Sequence, residues 1–257
     1  MALAFAKSSD FPFDKPAGEP CTNLDDHDGC RIHSRLRDSG FKGCTVFDCF
    51  GAGQKVSART FEGRSWRDDA ATRSAMFAVF PIVRRLHELL WYLDEAIVLV
   101  TAADRDATPW LTAFERVRRL SDGSAAELAG LDVDSEYGAV RDLLIDASDI
   151  SRRAIPASRS RRGRAPRPGS DLTGADLAGS DLRGLSLRGS IAIAADLRDA
   201  RLNRCDLLGV DLRDADLSGA DLEGAIYLTQ MQVNSARGDA RTRLPEGFER
   251  PRHWART

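Results

Sequence analysis

A chain of 257 residues with 42% hydrophobic and 30% charged residues has the composition of a soluble globular protein of one or two domains. No apolar run reaches the ~18 residues that a membrane-spanning helix needs, so that class is excluded. The formal net charge of −2 is unevenly spread, between an arginine-rich stretch and an acidic repeat.

Residues 1–20 form an N-terminal extension. Its start, MALAFAKSSDFPFDKP, lacks a basic region followed by a long apolar core, so no secretory signal is expected. Five cysteines, an odd number, in a chain without such a signal point to reduced thiols and a cytoplasmic location.

Residues 21–54 are rich in soft ligands: Cys21, His27, Cys30, His33, Cys44 and Cys49. This set could hold Zn or an iron–sulfur cluster, with Cys21, Cys30, Cys44 and Cys49 as the metal candidates. The spacing Cys-x8-Cys-x13-Cys-x4-Cys matches no familiar finger or ferredoxin pattern. A reactive or redox cysteine is a further reading. The Gly-x-Gly of FGAGQ has no Lys-Ser/Thr after it, so a turn is favoured over a phosphate loop.

Residues 66–154 read as a helical domain. Phe80, Val83, Leu86, Leu90, Leu93, Ile97 and Val100 recur at helical spacing, with Pro81 marking a start or a kink. A second helix is expected from Thr108 as N-cap and Pro109 as first residue. Ser124 with Glu127 reads as a capping box. A last helix runs through Tyr137, Val140, Leu143, Leu144, Ala147 and Ile150. Three or four helices should pack as a small antiparallel bundle. Trp91, Tyr92, Trp110 and Phe114 are expected in its core. His87 and Glu88 resemble an acid–base pair but read as structural. Residues 155–169 continue an Arg/Pro-rich linker. The stretch 151–169 holds seven Arg and no acid, and reads as a solvated linker or, alternatively, as a nucleic-acid or membrane-surface patch.

From Ser170 to Thr229 a five-residue pattern repeats twelve times without insertion. Its centres are Leu172, Leu177, Leu182, Leu187, Ala192, Leu197, Leu202, Leu207, Leu212, Leu217, Leu222 and Tyr227. The residue before the centre is Asp in eight of twelve repeats, and the second residue after it is Gly in seven. Five residues fit neither regular element. On a helix they turn ~500°, so the leucines form no stripe; on a flat strand an odd step alternates faces. A Leu that always points inward therefore needs a bend in every repeat, and Gly and Asp tolerate bends. A chain bending this regularly coils and stacks on itself.

The runs Ser170-Asp171-Leu172-Thr173-Gly174 and Ala175-Asp176-Leu177-Ala178-Gly179 resemble the bacterial pentapeptide-repeat proteins. The resemblance implies a right-handed quadrilateral β-helix with four repeats per coil beside a small helical domain, a mixed fold class. Three coils at ~4.8 Å per layer would span roughly 14 Å. The core would comprise Leu172, Leu177, Leu182, Leu187, Leu197, Leu202, Leu207, Leu212, Leu217 and Leu222. The same phase can be traced through Ser34, Ser39, Cys44 and Cys49, making residues 21–54 one degenerate coil stacked on the residue-170 end. Cys44 and Cys49 would then be small inward residues, like Cys205. Tyr227, Leu228, Met231 and Val233 are candidate caps, and residues 230–257 form a C-terminal tail.

The expected function follows. No coupled nucleophile, base and oxyanion set is visible, so the chain reads as noncatalytic and without a required cofactor. The leading expectation is an interaction or scaffolding module built on the solenoid, for an unknown protein partner, with self-association possible and no membrane contact. The resemblance also implies a DNA-mimic role toward gyrase or topoisomerase. Every fourth repeat shares a face, so Asp176, Asp196, Asp199 and Asp216 would form an acidic wall. Residues 170–229 carry ten Asp, one Glu and six Arg. Their net −5 falls short of the about eight charges that 14 Å of duplex would carry, which disfavours the mimic. Nucleic acid is expected only at the Arg-rich linker. A metal-binding or redox-sensing protein is the third class.

Overall fold

The computed structural model describes residues 3–153, 155 and 165–256. Most of the Arg-rich linker, with Arg159, Arg161, Arg162 and Arg164, lies outside the described residues. The chain divides into two units. Unit 1 comprises Met1–Asp94 and Ala107–Leu144; unit 2 comprises Glu95–Asp106 and Ile145–Thr257.

Unit 1 begins with paired extended residues, Phe5 with Lys15 and Leu24 with Cys30, both antiparallel. Phe5, Phe11 and Phe13 pack on Ile32, Leu36 and Phe41 as a small core of their own. Then come α1 (Lys42–Val46) and α2 (Ala52–Lys55), the latter running into a π-helical turn over Val56–Thr60. Residues 21–54 therefore do not form a coil. Cys44 lies exposed in α1. The traced phase supplied small residues but no Asp before any centre: Arg35, Gly40, Thr45 and Phe50 stand there instead.

The long α3 (Ala70–Ala102) follows its apolar spacing, and Val79, Val83, Leu86, Leu89, Leu93 and Val100 are buried. Pro81 lies inside it rather than at its start. α4 (Thr108–Ser121) has Ala107 as its N-cap, so Thr108 is already helical, one residue from expectation. α5 (Ala125–Ala129) carries the anticipated capping box, with Ser124 and Glu127 bonding reciprocally. α6 (Val133–Arg152) completes the set. Within unit 1, the indole N–H of Trp110 donates to the Leu143 carbonyl at 2.8 Å, and the Tyr137 hydroxyl donates to the Arg85 carbonyl at 3.0 Å.

In unit 2, each repeat contributes one bridged residue followed by a turn. The bridges are parallel and form four columns; within the repeats the bridged residues are twenty apart, and Arg237 and Arg243 extend two of the columns. Asp171, Ile191 and Asp211 make the first; Asp176, Asp196, Asp216 and Arg237 the second; Asp181, Arg201, Asp221 and Arg243 the third; Ser186, Asp206 and Ile226 the fourth. The turns have a single chemistry. Asp Oδ1 accepts the N–H two residues on in all eight Asp repeats. The corner residue is left-handed, with Gly174 at φ +62° and Gly224 at +68°. This is the conformation that Gly adopts without steric cost. Ala194, Asp199, Arg204 and Asp214 adopt it too.

The expected β-helix, and the mixed fold class built on it, are corrected here. Among the described residues there is no β-strand and no sheet, only isolated bridges, and every named element is helical. The reason lies in the length of the repeat. Each repeat of five has one bridged residue and a two-residue turn that bends the chain away before the next bridge, so no run of consecutive pairs forms. The inward side chains are nonetheless packed. Leu182, Leu187, Leu197, Leu202, Leu207, Leu212, Leu217 and Leu222 are buried, whereas Leu172 and Leu177 are partly exposed. α7 (Gln230–Ser235) then covers the far end. Leu228, Val233, Ala236 and Trp254 join the leucine core, with Leu244 and Phe248 against it. Trp254 fits only because residue 238 is glycine: a Cβ there would lie 2.7 Å from the indole ring.

Candidate functional site

The fourth column departs from the polar pattern of the second and third. Ser186, Asp206 and Ile226 form its rungs, with Arg188, Leu208 and Leu228 two residues on. Asp206 has no exposed surface. One carboxylate oxygen closes the local turn by accepting the Leu208 N–H at 3.1 Å. The other accepts from the Ser148 hydroxyl at 2.7 Å, the Ser186 hydroxyl at 3.3 Å and the Arg188 guanidinium. Arg152 bonds the Ser148 hydroxyl and the Gly184 carbonyl, and Arg204 bonds Ser151. On the same column the Tyr227 N–H donates to Glu95 at 2.8 Å. All these residues belong to unit 2. A repeat Asp that elsewhere only shapes a turn here anchors the end of α6. Its acceptor capacity is consumed by these donors, so the cluster holds structure together rather than presenting a base.

The four residues of the expected acidic wall are placed as follows. Asp176, Asp196 and Asp216 stack in one column, one turn apart. The Arg198 guanidinium folds back on Asp196, at 2.8 and 2.5 Å, and the charges of Asp216 and Asp176 also act on it. Asp199 pairs with Arg241 at 3.1 Å. Neighbouring columns repeat the motif, with Arg183 on Asp181 and Arg213 on Asp211. The carboxyls of Asp181, Asp196 and Asp211 are held below the usual range, chiefly by their arginine partners. Asp181, Asp196, Asp199 and Asp211 are thus each paired with an arginine. The expected scaffold and the DNA mimic both rested on walls of a β-helix. Without strand or sheet among the described residues, both readings are corrected.

The metal and redox readings are corrected as well. Cys21, Cys30, Cys44 and Cys49 are all unbridged thiols. Among the described residues no group of three or more His, Cys, Asp or Glu could hold a metal ion. Although Cys44 reaches solvent, partial desolvation by the surrounding chain, followed by the charges of Cys21 and Cys30, raises its thiol above the ordinary value, which disfavours the thiolate that a ligand or nucleophile needs. Cys205 is fully buried, and burial raises its thiol further.

In unit 1, His87 and Glu88 serve the fold. The His87 ring nitrogen Nδ1 bonds the Phe50 carbonyl at 2.8 Å. Glu88 accepts from the Tyr137 hydroxyl at 3.3 Å and pairs with Arg84 at 3.8 Å. Beside them lies a feature that the sequence reading missed. The loop Phe47-Asp48-Cys49-Phe50-Gly51 is laid against α3. Its residue Phe50 is left-handed at φ +49°, held by its N–H to Asp48 Oδ1 at 2.8 Å. Such a conformation strains a bulky aromatic residue. Arg84 donates from Nε to the Asp48 carbonyl at 2.9 Å, and its guanidinium lies 5.7 Å from the Phe47 ring and 5.6 Å from the Phe50 ring. Phe47 neighbours Phe80, and Phe50 neighbours Trp91, each pair at 6.4 Å. Phe47 is 42% exposed and Trp91 45%. Trp91 was expected in the core; it is instead on the surface, while Tyr92 and Trp110 are buried as expected. The only available signal was the pair of aromatics inside a five-residue loop ending in Gly.

A family model described as pentapeptide repeats matches residues 168–191 and 193–226, in eight copies. This match covers the turns alone, and what it carries here is a five-residue pattern without strands. The Bacillus subtilis (strain 168) protein YybG is 48% identical over 257 residues, spanning 99% of this chain and 90% of its own length. The chain belongs to the YybG family. The similarity to YybG extends over the helical segment and the Phe47–Trp91 region as well as the turns, so the family is defined by more than its repeats.

No helix among the described residues is long and apolar enough to cross a membrane.

Proposed function

We propose that the chain is a noncatalytic binding protein of the cytoplasm, and that it recognises its partner through the aromatic–arginine face of unit 1. The carrying observation is the strip Phe47, Arg84, Phe50 and Trp91, in which two aromatic rings remain exposed beside a guanidinium already fixed by the loop. Exposed Trp and Phe beside a fixed Arg supply flat contact area at small entropic cost, suited to an apolar or planar group. The left-handed Phe50 supports the reading, because strain held in place by surrounding bonds concentrates at functional sites. The noncatalytic part is supported by His87 and Glu88 being engaged with Phe50, Tyr137 and Arg84. The cytoplasmic part is supported by five unbridged cysteines.

Retention of partners from the native cell tests the reading. The double variant Phe47→Ser, Trp91→Ala should keep its melting temperature and lose the proteins or small molecules that the wild type retains. Equal retention by the folded double variant would refute it. Trp91 also offers a direct readout, because Trp66, Trp110 and Trp254 are all buried. Bound partner should shield its fluorescence from acrylamide quenching.

A further inference from the structure

We draw no further inference here: the strongest candidate, the partly exposed leucine end of the turn stack at Leu172 and Leu177, carries nothing because nothing in the structure shows what covers it.

Discussion

Replacing Asp206 by Ala tests whether the fourth column is a buried anchor or one more turn. The substitution removes four contacts at once: the Leu208 N–H, the Ser148 and Ser186 hydroxyls and the Arg188 guanidinium. It leaves Arg188 with a side chain only 20% exposed, and its Nε already has no hydrogen-bond partner. Removing one member of a buried charge pair costs about 3–5 kcal/mol. Asp216 supplies the control. It sits in an equivalent position of another column and accepts the Ser218 N–H at 2.9 Å, so Asp216→Ala should cost about 1 kcal/mol. Cys205 reports the opening of this unit, being fully buried next to Asp206. With the other four cysteines changed to Ser, the rate of thiol labelling under native conditions follows the open population. Asp206→Ala should accelerate labelling by about a hundred- to several-thousand-fold, and Asp216→Ala by about five-fold. Ser148→Ala should weaken the wild type and have little further effect in the Asp206→Ala background, because the two share one contact. If Asp206→Ala and Asp216→Ala label at similar rates, the anchor does not exist.

Three further outcomes follow from particular geometries. Gly238→Ala should unseat Trp254, whose ring would lie 2.7 Å from the new Cβ, and a red-shifted, quenchable tryptophan signal would show it. Ala194→Gly should stabilise the turns by roughly 0.5–1 kcal/mol, since φ +54° costs an L-residue more than glycine loses in unfolded-state entropy; denaturant midpoints measure this, and an unchanged or lower midpoint would contradict it. Asp239 loses to desolvation but gains more from the Gly219 N–H, the Arg241 side chain and N–H and the Thr242 hydroxyl, which together hold it at about 2. A carboxyl lowered in the folded state stabilises above its unfolded value of 3.8 and loses that contribution as pH falls through about 2. Asp239→Asn should therefore flatten the loss of stability between pH 4 and pH 2, measured by denaturant midpoints across that range.

The turns were legible because their chemistry is local. A Leu every five residues, Asp one before it and Gly two after specify an inward side chain, an acceptor for the N–H two residues on, and a left-handed corner. Those three features appear in the structure repeat by repeat. The step from repeat to sheet was not legible, because it depends on how many consecutive residues pair. One bridged residue per repeat leaves no strand, however regular the stacking. The false coil at residues 34–51 shows which feature decides. It had the spacing, the small residues and apolar centres, but no Asp before any centre, and the chain there closes into α1 instead.

Long-range pairings were hidden for a different reason. Arg237 and Arg243 continue the second and third columns, but they follow Asp216 and Asp221 by 21 and 22 residues because α7 intervenes. A search at a fixed step of five passes over them. The fourth column could have been found from the same sequence by comparing every fourth repeat. Its Ile226, Leu208 and Leu228 place apolar residues where the second and third columns carry mostly Asp and Arg. A column that abandons the polar pattern while keeping its turns must be covered, and Glu95 and Ser148 are the groups that meet it. The Phe47–Trp91 face had no such internal reference. Helical periodicity assigns Trp91 to an element but not to a side, and only the loop laid over Arg84 shows which ring remains exposed.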